Sequence, residues 1–361
     1  MGVFNHEAFA DHEQVVFCHD EKTGLKGIIA VHSTALGPAA GGCRMWAYSS
    51  DDLAISDALR LSKGMSYKNA MAGLNLGGGK AVIIGDAKTD KSEDLFRAFG
   101  RFVDSLGGKY ITAEDVGISV SDMEVVSQET PYVAGLNSGL AASGDPSPFT
   151  ARGTFNGIRA AVKHRLGKEG VRGLKVAVQG LGHVGWHLCK ELDNAGADLF
   201  VADINDEVVQ HAVKEFGATA VSCDKILYSD VDVVAPCALG AVLNEKSIPL
   251  LKASVVAGAA NNQLAQASDG ALLSAQNILY APDYVINAGG IINVAAEIEG
   301  NYDRKWVDTK VAAIYDVLIG IFERADHENG STSDIADLIA QEKINSATKT
   351  IIYGKHDQTV A

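Results

Sequence analysis

At 361 residues the chain has room for two domains with a core each, and 47% hydrophobic with 21% charged residues is ordinary for a soluble globular protein. A formal net charge of -14 argues against nucleic acid as the main partner, and no apolar run reaches the ~18 residues of a membrane span. Five cysteines (Cys18, Cys43, Cys189, Cys223, Cys237), odd in number and without a C-x-x-C pair, exclude a disulfide framework and a zinc site; no H-E-x-x-H occurs either.

In chain order, the opening Met-Gly-Val-Phe-Asn-His lacks the basic flank and apolar core of a secretory signal, and His6 stands where myristoylation needs Ser or Thr. A cytoplasmic protein is the expectation. β-like runs at Val15-Val16-Phe17 and Gly27-Ile28-Ile29-Ala30-Val31 lead into a helix predicted from about Asp51, where Ile55, Ala58, Leu59, Leu61 and Met65 recur at roughly helical spacing. Strands are predicted at Ala81-Val82-Ile83-Ile84 and Tyr110-Ile111-Thr112-Ala113, with a helical pattern around Leu95 to Phe102 between them. Ser143-Gly144-Asp145-Pro146-Ser147-Pro148 holds two of the seven prolines and reads as a linker or hinge. Beyond it the alternation becomes regular. Lys175-Val176-Ala177-Val178, Asp198-Leu199-Phe200-Val201, Val231-Asp232-Val233-Val234, Ser254-Val255-Val256-Ala257 and Asn277-Ile278-Leu279-Tyr280 read as short buried strands of a parallel sheet covered on both faces. An amphipathic helix is predicted from about Ser333, with the option of packing back on the first domain. The class is α/β, without solenoid repeats or low-complexity segments.

Gly180-Leu181-Gly182-His183-Val184-Gly185 matches G-x-G-x-x-G between a predicted strand and a predicted helix. The first glycine permits a tight turn, the second lets backbone approach a pyrophosphate, and the third allows close helix–strand packing; the helix amino terminus supplies N–H groups. Asp203 stands at the end of the second strand, 23 positions beyond Gly180, where a carboxylate binds ribose hydroxyls. Its charge would repel a 2′-phosphate, and Ile204-Asn205-Asp206 offers no arginine to hold one, so the expected cofactor is NAD. The competing reading is a set of glycines that serve only a turn.

In the first half, Gly77-Gly78-Gly79-Lys80 places a lysine after three glycines and ahead of a strand, with Lys68 twelve residues earlier. Glycines let backbone approach a ligand, and a lysine in a confined site can have its pKa lowered until it exchanges protons near neutral pH. Lys68 lies broadly on the apolar side of its helix, where a substrate carboxylate would satisfy it; Asp57, near the same face, is the alternative partner. Asp115 follows a strand at its carboxyl end, where ligand crevices form, although a cap or turn role also fits.

At these residues the sequence resembles the leucine, valine and phenylalanine dehydrogenases, relatives of glutamate dehydrogenase. The matching stretches are Gly37-Pro38-Ala39-Ala40-Gly41-Gly42-Cys43-Arg44, Lys63-Gly64-Met65-Ser66-Tyr67-Lys68, Gly77-Gly78-Gly79-Lys80 and Thr112-Ala113-Glu114-Asp115. The second half adds Ala235-Pro236-Cys237-Ala238, Gly258-Ala259-Ala260-Asn261-Asn262, Tyr280-Ala281-Pro282-Asp283 and Asn287-Ala288-Gly289-Gly290. The resemblance implies two domains with a cleft between them: a mixed-sheet α/β substrate and oligomerisation domain (1–147, completed by about 333–361) and a Rossmann-type doubly wound NAD-binding domain (148–332). It implies that Lys68 holds the substrate carboxylate, that Lys80 activates water and that Asp115 shuttles protons with the amino group. Thr150 and Asn261 would help place the nicotinamide and its ribose, with Cys237, Ala238 and Asn287 also among the cofactor-binding residues. Asn262 would contact the substrate, and Gly41 and Gly78 would line the pocket with backbone groups.

The implied reaction is reversible NAD-dependent oxidative deamination of an L-amino acid to a 2-oxo acid and ammonia, in a homo-oligomer. The likeness forms the side-chain pocket around Ala40, Ala113, Ile291 and Val294, an apolar set with no cation for a glutamate side chain. Leucine, valine and isoleucine are therefore expected first. Ala40 departs from the leucine that leucine enzymes tend to have there, and it opens the pocket toward phenylalanine or methionine. The alternatives are an aromatic amino acid dehydrogenase, differing only in the pocket, and a non-catalytic NAD-binding protein on the same fold.

Overall fold

The computed structural model describes residues 2–136, 145–300 and 302–357. The chain divides into a first unit of Met1–Gly144, Val294–Tyr302 and Ala340–Ala361, and a second of Asp145–Asn293 and Asp303–Ile339. None of the helices among the described residues is long and apolar enough to cross a membrane.

The first unit is built from β1 (Gln14–Asp20), β2 (Leu25–Ser33), β3 (Ala39–Ala40), β4 (Cys43–Trp46), α1 (Asp51–Met71), β5 (Gly77–Ile84), α2 (Glu93–Asp104), β6 (Tyr110–Ile111) and α3 (Val120–Val126). Its strands make a mixed sheet in the order β1-β2-β5-β3-β6, with β4 paired to β5 beyond β3. β1/β2 and β2/β5 are antiparallel, and β3 and β4 run parallel to β5. Period-two alternation sorts the side chains to two faces. Ile28, Ala30 and Val82 pack on Ala54, Ala58 and Leu59 of α1, whereas Ile29, Val31, Ala81 and Ile83 cluster with Phe96, Phe99 and Met123 of α2 and α3. The helices begin where side chains cap them: Ser50 accepts from the Leu53 N–H and Ser92 from the Leu95 N–H.

The triple glycine lies inside β5, not ahead of it, which corrects the sequence reading. The reason is steric. A Cβ at Gly77 would stand 2.0 Å from the Ser33 carbonyl oxygen, one at Gly78 2.0 Å from the Ser66 nitrogen, and one at Gly79 2.6 Å from the Tyr110 ring. The strand can therefore pass here only without side chains. The strand predicted over 110–113 is shorter, Tyr110–Ile111, and its continuation is held by Cys43 N–H donating to Ala113 O and by the Thr112/Val133 bridge.

The α1 face also buries two histidines. His12 Nε2 lies 3.0 Å from both Leu59 O and Ser62 Oγ, and His32 Nδ1 lies 2.8 Å from Ser66 Oγ. Burial, then the neighbouring His12 and Lys63 charges, pushes the His32 imidazole from 6.5 down to about 4, and burial lowers His12 as well. The unfolded chain therefore binds more protons than the folded one between these values. His32 contributes no loss above about pH 6.5, and stability falls as the pH drops from there toward 4. In urea unfolding the loss between pH 7 and 4.5 should shrink by about 2 kcal/mol in His32→Gln. An unchanged pH dependence in that variant would show that His32 is not the group responsible.

The second unit continues with α4 (Ser147–Leu166), β7 (Lys175–Gln179), α5 (His183–Asn194), β8 (Asp198–Ala202), α6 (Asp206–Phe216), β9 (Thr219–Ala220), β10 (Val233–Pro236), β11 (Val255–Val256), α7 (Ser268–Ala275) and β12 (Leu279–Tyr280). Then come α8 (Asp283–Ile286), α9 (Gly289–Ile298), α10 (Arg304–Ala312), α11 (Ile314–Glu328) and α12 (Thr332–Asp357). The sheet is all parallel in the order β12-β11-β10-β7-β8-β9, so strand order reverses at β7, as in a doubly wound dinucleotide fold. The predicted strands appear, with shifted or shortened ends. β12 loses 277–278 because Asn277 turns the backbone at φ +61°, and β10 starts at Val233 because the Asp232 carboxylate caps the Lys175 N–H at 2.9 Å. Pro146 and Pro148 stand just past the division between the units at Gly144/Asp145, within the stretch where the sequence places a linker. They open α4, where the fixed proline φ suits a first helical turn; Ser143 and Gly144 lie outside the described residues. The last helix starts at Thr332, and its part from Ala340 belongs to the first unit, where Tyr67 Oη donates to Gln341 Oε1 at 2.9 Å and Lys343 Nζ to Ala70 O at 3.2 Å.

Candidate active site

Three neighbouring strands of the first unit carry a charged cluster on the face covered by α1. Lys80 shares the Val82 side of β5 by alternation, and Arg44 stands opposite the buried Cys43 and Met45 on β4. Asp115 follows β6, and its strand lies beyond β4 from β5. Lys80 Nζ is nevertheless 2.7 Å from Asp115 Oδ2. Gly42, between them, makes the contact possible: a Cβ there would stand 2.8 Å from Asp115 Cβ and 2.5 Å from Glu114 O. The lysine side chain is 7% exposed, so its ammonium sits largely out of water and is satisfied by a carboxylate.

The same Asp115 Oδ2 accepts from Arg44 Nε at 3.0 Å, while Arg44 Nη1 donates to Asp57 Oδ2 at 2.9 Å and Tyr48 Oη to that same oxygen at 2.6 Å. Burial works to raise the Asp115 carboxyl. The Lys80 and Arg44 cations, the Lys80 hydrogen bond and the Val116 N–H outweigh it and hold the group below its ordinary 3.8. Asp57, considered from sequence as a partner for Lys68, is thus engaged by Arg44 and Tyr48. Lys68 lies half-buried on α1, the helix over the Lys80 face. Ala40 and Gly78 are paired across β3 and β5, and the Gly41 carbonyl accepts from Tyr110 Oη at 2.7 Å. Ala40 is buried, whereas Ala113 is half-buried. Sequence reasoning did not single out Arg44, Asp57 and Tyr48 as a set. The available signal was an arginine two residues beyond a double glycine.

In the second unit Gly180 turns at φ +98°, a backbone conformation that glycine alone adopts freely. A Cβ at Gly185 would stand 2.0 Å from Gly180 O, so the third glycine seats α5 on the turn. Gly182 opens α5 with no side-chain cap and with nothing within 4 Å of a built Cβ, leaving the helix amino terminus approachable around Leu181, His183 and Val184. Ala238 packs on Gly180, Cys237 on Gly185, and Cys237 N–H donates to Gln179 O at 2.7 Å. Asp203 Oδ2 accepts from Leu181 N–H at 2.7 Å and Oδ1 from Asn205 N–H at 2.9 Å, which ties the glycine turn to the end of β8.

Asn287 Nδ2 donates to Asn261 Oδ1 at 2.7 Å and to Ala259 O at 3.1 Å, while Asn287 Oδ1 is buried with no hydrogen-bond partner. Such an acceptor calls for a donor. Asn262 holds φ +51°, a left-handed strain of the kind that collects at ligand sites. Thr150 lies in the first turn of α4, with its hydroxyl on Pro146 O at 3.1 Å and close enough to Gly290 that a Cβ there would meet it at 2.7 Å. Of the predicted pocket residues, Ile291 belongs to the second unit and Val294 to the first, both half-buried.

Residues 12–132 match the family model described as Glu/Leu/Phe/Val dehydrogenase, dimerisation domain, and residues 201–350 match Glutamate/Leucine/Phenylalanine/Valine dehydrogenase. The chain is 52% identical to leucine dehydrogenase of Geobacillus stearothermophilus over 97% of its own length and 95% of the relative's. It is 49% identical to valine dehydrogenase of Streptomyces virginiae, over 95% and 96% of the two chains. Among solved structures, L-tryptophan dehydrogenase from Nostoc punctiforme superposes with a TM-score of 0.83 at 47% identity, covering 93% of this chain and 97% of that one. A dehydrogenase of this kind implies a nicotinamide cofactor, and the α5 amino terminus with its glycine turn and the partnerless Asn287 acceptor fit one. The chain belongs to the Glu/Leu/Phe/Val family of amino acid dehydrogenases.

Proposed function

We propose that this enzyme catalyses the reversible NAD-dependent oxidative deamination of branched-chain aliphatic L-amino acids, leucine, valine and isoleucine before phenylalanine or methionine. The observation that carries the chemistry is the Lys80–Asp115 pair at 2.7 Å across Gly42, in a chain 52% identical to a leucine dehydrogenase. The balanced reaction is L-amino acid + NAD⁺ + water to 2-oxo acid + ammonia + NADH + H⁺.

In this reading Lys68 holds the substrate carboxylate, and the backbone at Gly41 and Gly78 lines the pocket. The nicotinamide supplies the hydride acceptor, and loss of hydride from the substrate leaves an imine. Lys80 takes a proton from the water that adds to the imine carbon, and its cationic form steadies the oxygen of the resulting carbinolamine. Asp115, ionised beside two cations, receives a proton from the substrate amino group and returns one to the leaving nitrogen. Thr150, Asn261 and Asn287 would orient the nicotinamide end, with Asn262 on the substrate. Gly182 to Val184 would offer backbone N–H groups to the pyrophosphate beside Gly180, Leu181, Gly185, Cys237 and Ala238. Asp203 supports NAD over NADP, because its carboxylate would oppose a 2′-phosphate and Ile204-Asn205-Asp206 supplies no arginine. Ala40, Ala113, Ile291 and Val294 give the substrate side chain apolar contact. A homo-oligomer belongs to the same reading, on the description of the model matching residues 12–132.

One panel tests it: NADH formation at alkaline pH from leucine, valine, isoleucine, methionine, phenylalanine, tryptophan and glutamate, each with NAD⁺ and NADP⁺. We expect kcat/KM to be highest for a branched-chain substrate, at least tenfold in favour of NAD⁺ (about 1.4 kcal/mol), with glutamate inert. Phenylalanine or tryptophan ahead of every branched-chain amino acid would move the enzyme to the aromatic class, for which the tryptophan dehydrogenase likeness and the small Ala40 speak. Silence across the panel would leave a nucleotide-binding protein.

A further inference from the structure

The Arg44 side chain has no part in the chemistry above, yet it is built into the same cluster. The side chain is 23% exposed and its guanidinium is held at two points, Nε on Asp115 Oδ2 at 3.0 Å and Nη1 on Asp57 Oδ2 at 2.9 Å. Asp57 is fixed in turn by Tyr48 Oη at 2.6 Å. We propose that Arg44, anchored by Asp57 and Tyr48, is a positioning residue that fixes the Asp115 carboxylate against Lys80; the inference rests on the roles given above to Lys80 and Asp115.

The physical case begins with what each cation can do. Lys80 exchanges a proton with water in the reaction, so its hold on Asp115 changes during turnover. A guanidinium does not deprotonate, and its planar fork spans two carboxylates in fixed directions, which an ammonium cannot. Arg44 is therefore the constant partner of Asp115. It keeps Oδ2 in place when the Lys80 proton leaves. Asp57 shares the guanidinium charge and tempers how strongly it bears on the pair.

The groups facing this pair come from every packed element. Lys80 lies on β5, Arg44 and Cys43 on β4, Tyr48 after β4, Asp57 on α1, Tyr110 on β6 and Asp122 on α3. Burial pushes the Cys43 thiol and the Tyr110 phenol far up, so both stay neutral, and Asp122 is paired with Lys91. Besides Lys80, the cation that acts on Asp115 is Arg44, which Asp57 holds from its other side, and Lys68 on α1 is the further cation over this face. Arg44 helps to hold the Asp115 carboxyl down, so loss of that fixed positive charge raises it and loss of a fixed negative charge nearby lowers it.

The test is the pH profile of kcat/KM for oxidative deamination in Arg44→Met, Arg44→Lys and Asp57→Asn. The acidic limb should move up by about 1 pH unit in Arg44→Met and down by roughly 0.3 unit or more in Asp57→Asn. In Arg44→Lys it should stay near the parent's, with kcat lowered roughly tenfold or more by the lost second contact. A merely structural arginine predicts lower thermal midpoints in all three with unmoved limbs, or limbs moving the same way in Arg44→Met and Asp57→Asn; either result overturns the proposal. Should Arg44→Met not fold, the other two decide it. Lys80→Ala separates the levels: residual turnover there brings down the assignment of Lys80, whereas an inactive Lys80→Ala with unmoved limbs brings down only the role of Arg44.

Discussion

Lys80→Ala should lower kcat for leucine deamination by roughly a thousandfold or more while leaving the Kd for NAD⁺ within about twofold. The expectation follows from what the side chain touches. Lys80 Nζ reaches Asp115 from the middle of β5, with Gly78 and Gly79 beside it and α1 above. The glycine turn at Gly180 belongs to the other unit, so removing the Lys80 side chain takes nothing from it. The fold should survive as well: Asp115 keeps Arg44 Nε at 3.0 Å, so its half-buried carboxylate is not left without a cation. A folded Lys80→Ala enzyme that keeps more than a few per cent of kcat would refute the role proposed for this lysine. Equilibrium NAD⁺ titration beside steady-state kinetics supplies both readings.

The sequence exposed some of this site and hid the rest for definite reasons. Gly180 to Gly185, the strand before them and Asp203 at the next strand end are a local pattern, legible within about thirty residues. The strand order around β7 follows from that pattern and from the buried parallel runs. By contrast, the Arg44–Asp115 bond joins residues 71 apart, through a register between parallel strands that composition does not encode. Gly77 to Gly79 reads locally as a loop. The glycines are in a strand because Ser33, Ser66 and Tyr110 crowd them from three different elements, and crowding is a tertiary fact. The prolines at 146 and 148 carry the opposite lesson: the residue that ends a helix in one place begins α4 here.

Gly42→Ala should lower turnover by about a hundredfold without removing any functional group. The added methyl would land 2.5 Å from Glu114 O and 2.8 Å from Asp115 Cβ, both part of the strand segment that β4 holds through Cys43 N–H to Ala113 O at 2.8 Å. Neither neighbour is the far end of a flexible side chain, so the backbone carrying Asp115 must move away from β4. A shift on the order of 1 Å is enough to part Asp115 Oδ2 from Lys80 and to cost about a hundredfold in rate. Overpacking of this kind also costs about 1–3 kcal/mol of stability. Gly64→Ala is the matched control, since a Cβ at that position of α1 meets nothing within 4 Å. It should leave kcat unchanged and stabilise the helix by up to about 1 kcal/mol. Parent-like kcat in a folded Gly42→Ala protein would mean that the 2.7 Å Lys80–Asp115 approach is not what the chemistry needs. Loss of rate in Gly42→Ala alone, with KM for NAD⁺ unchanged, would locate the requirement in the gap that glycine leaves between two strands.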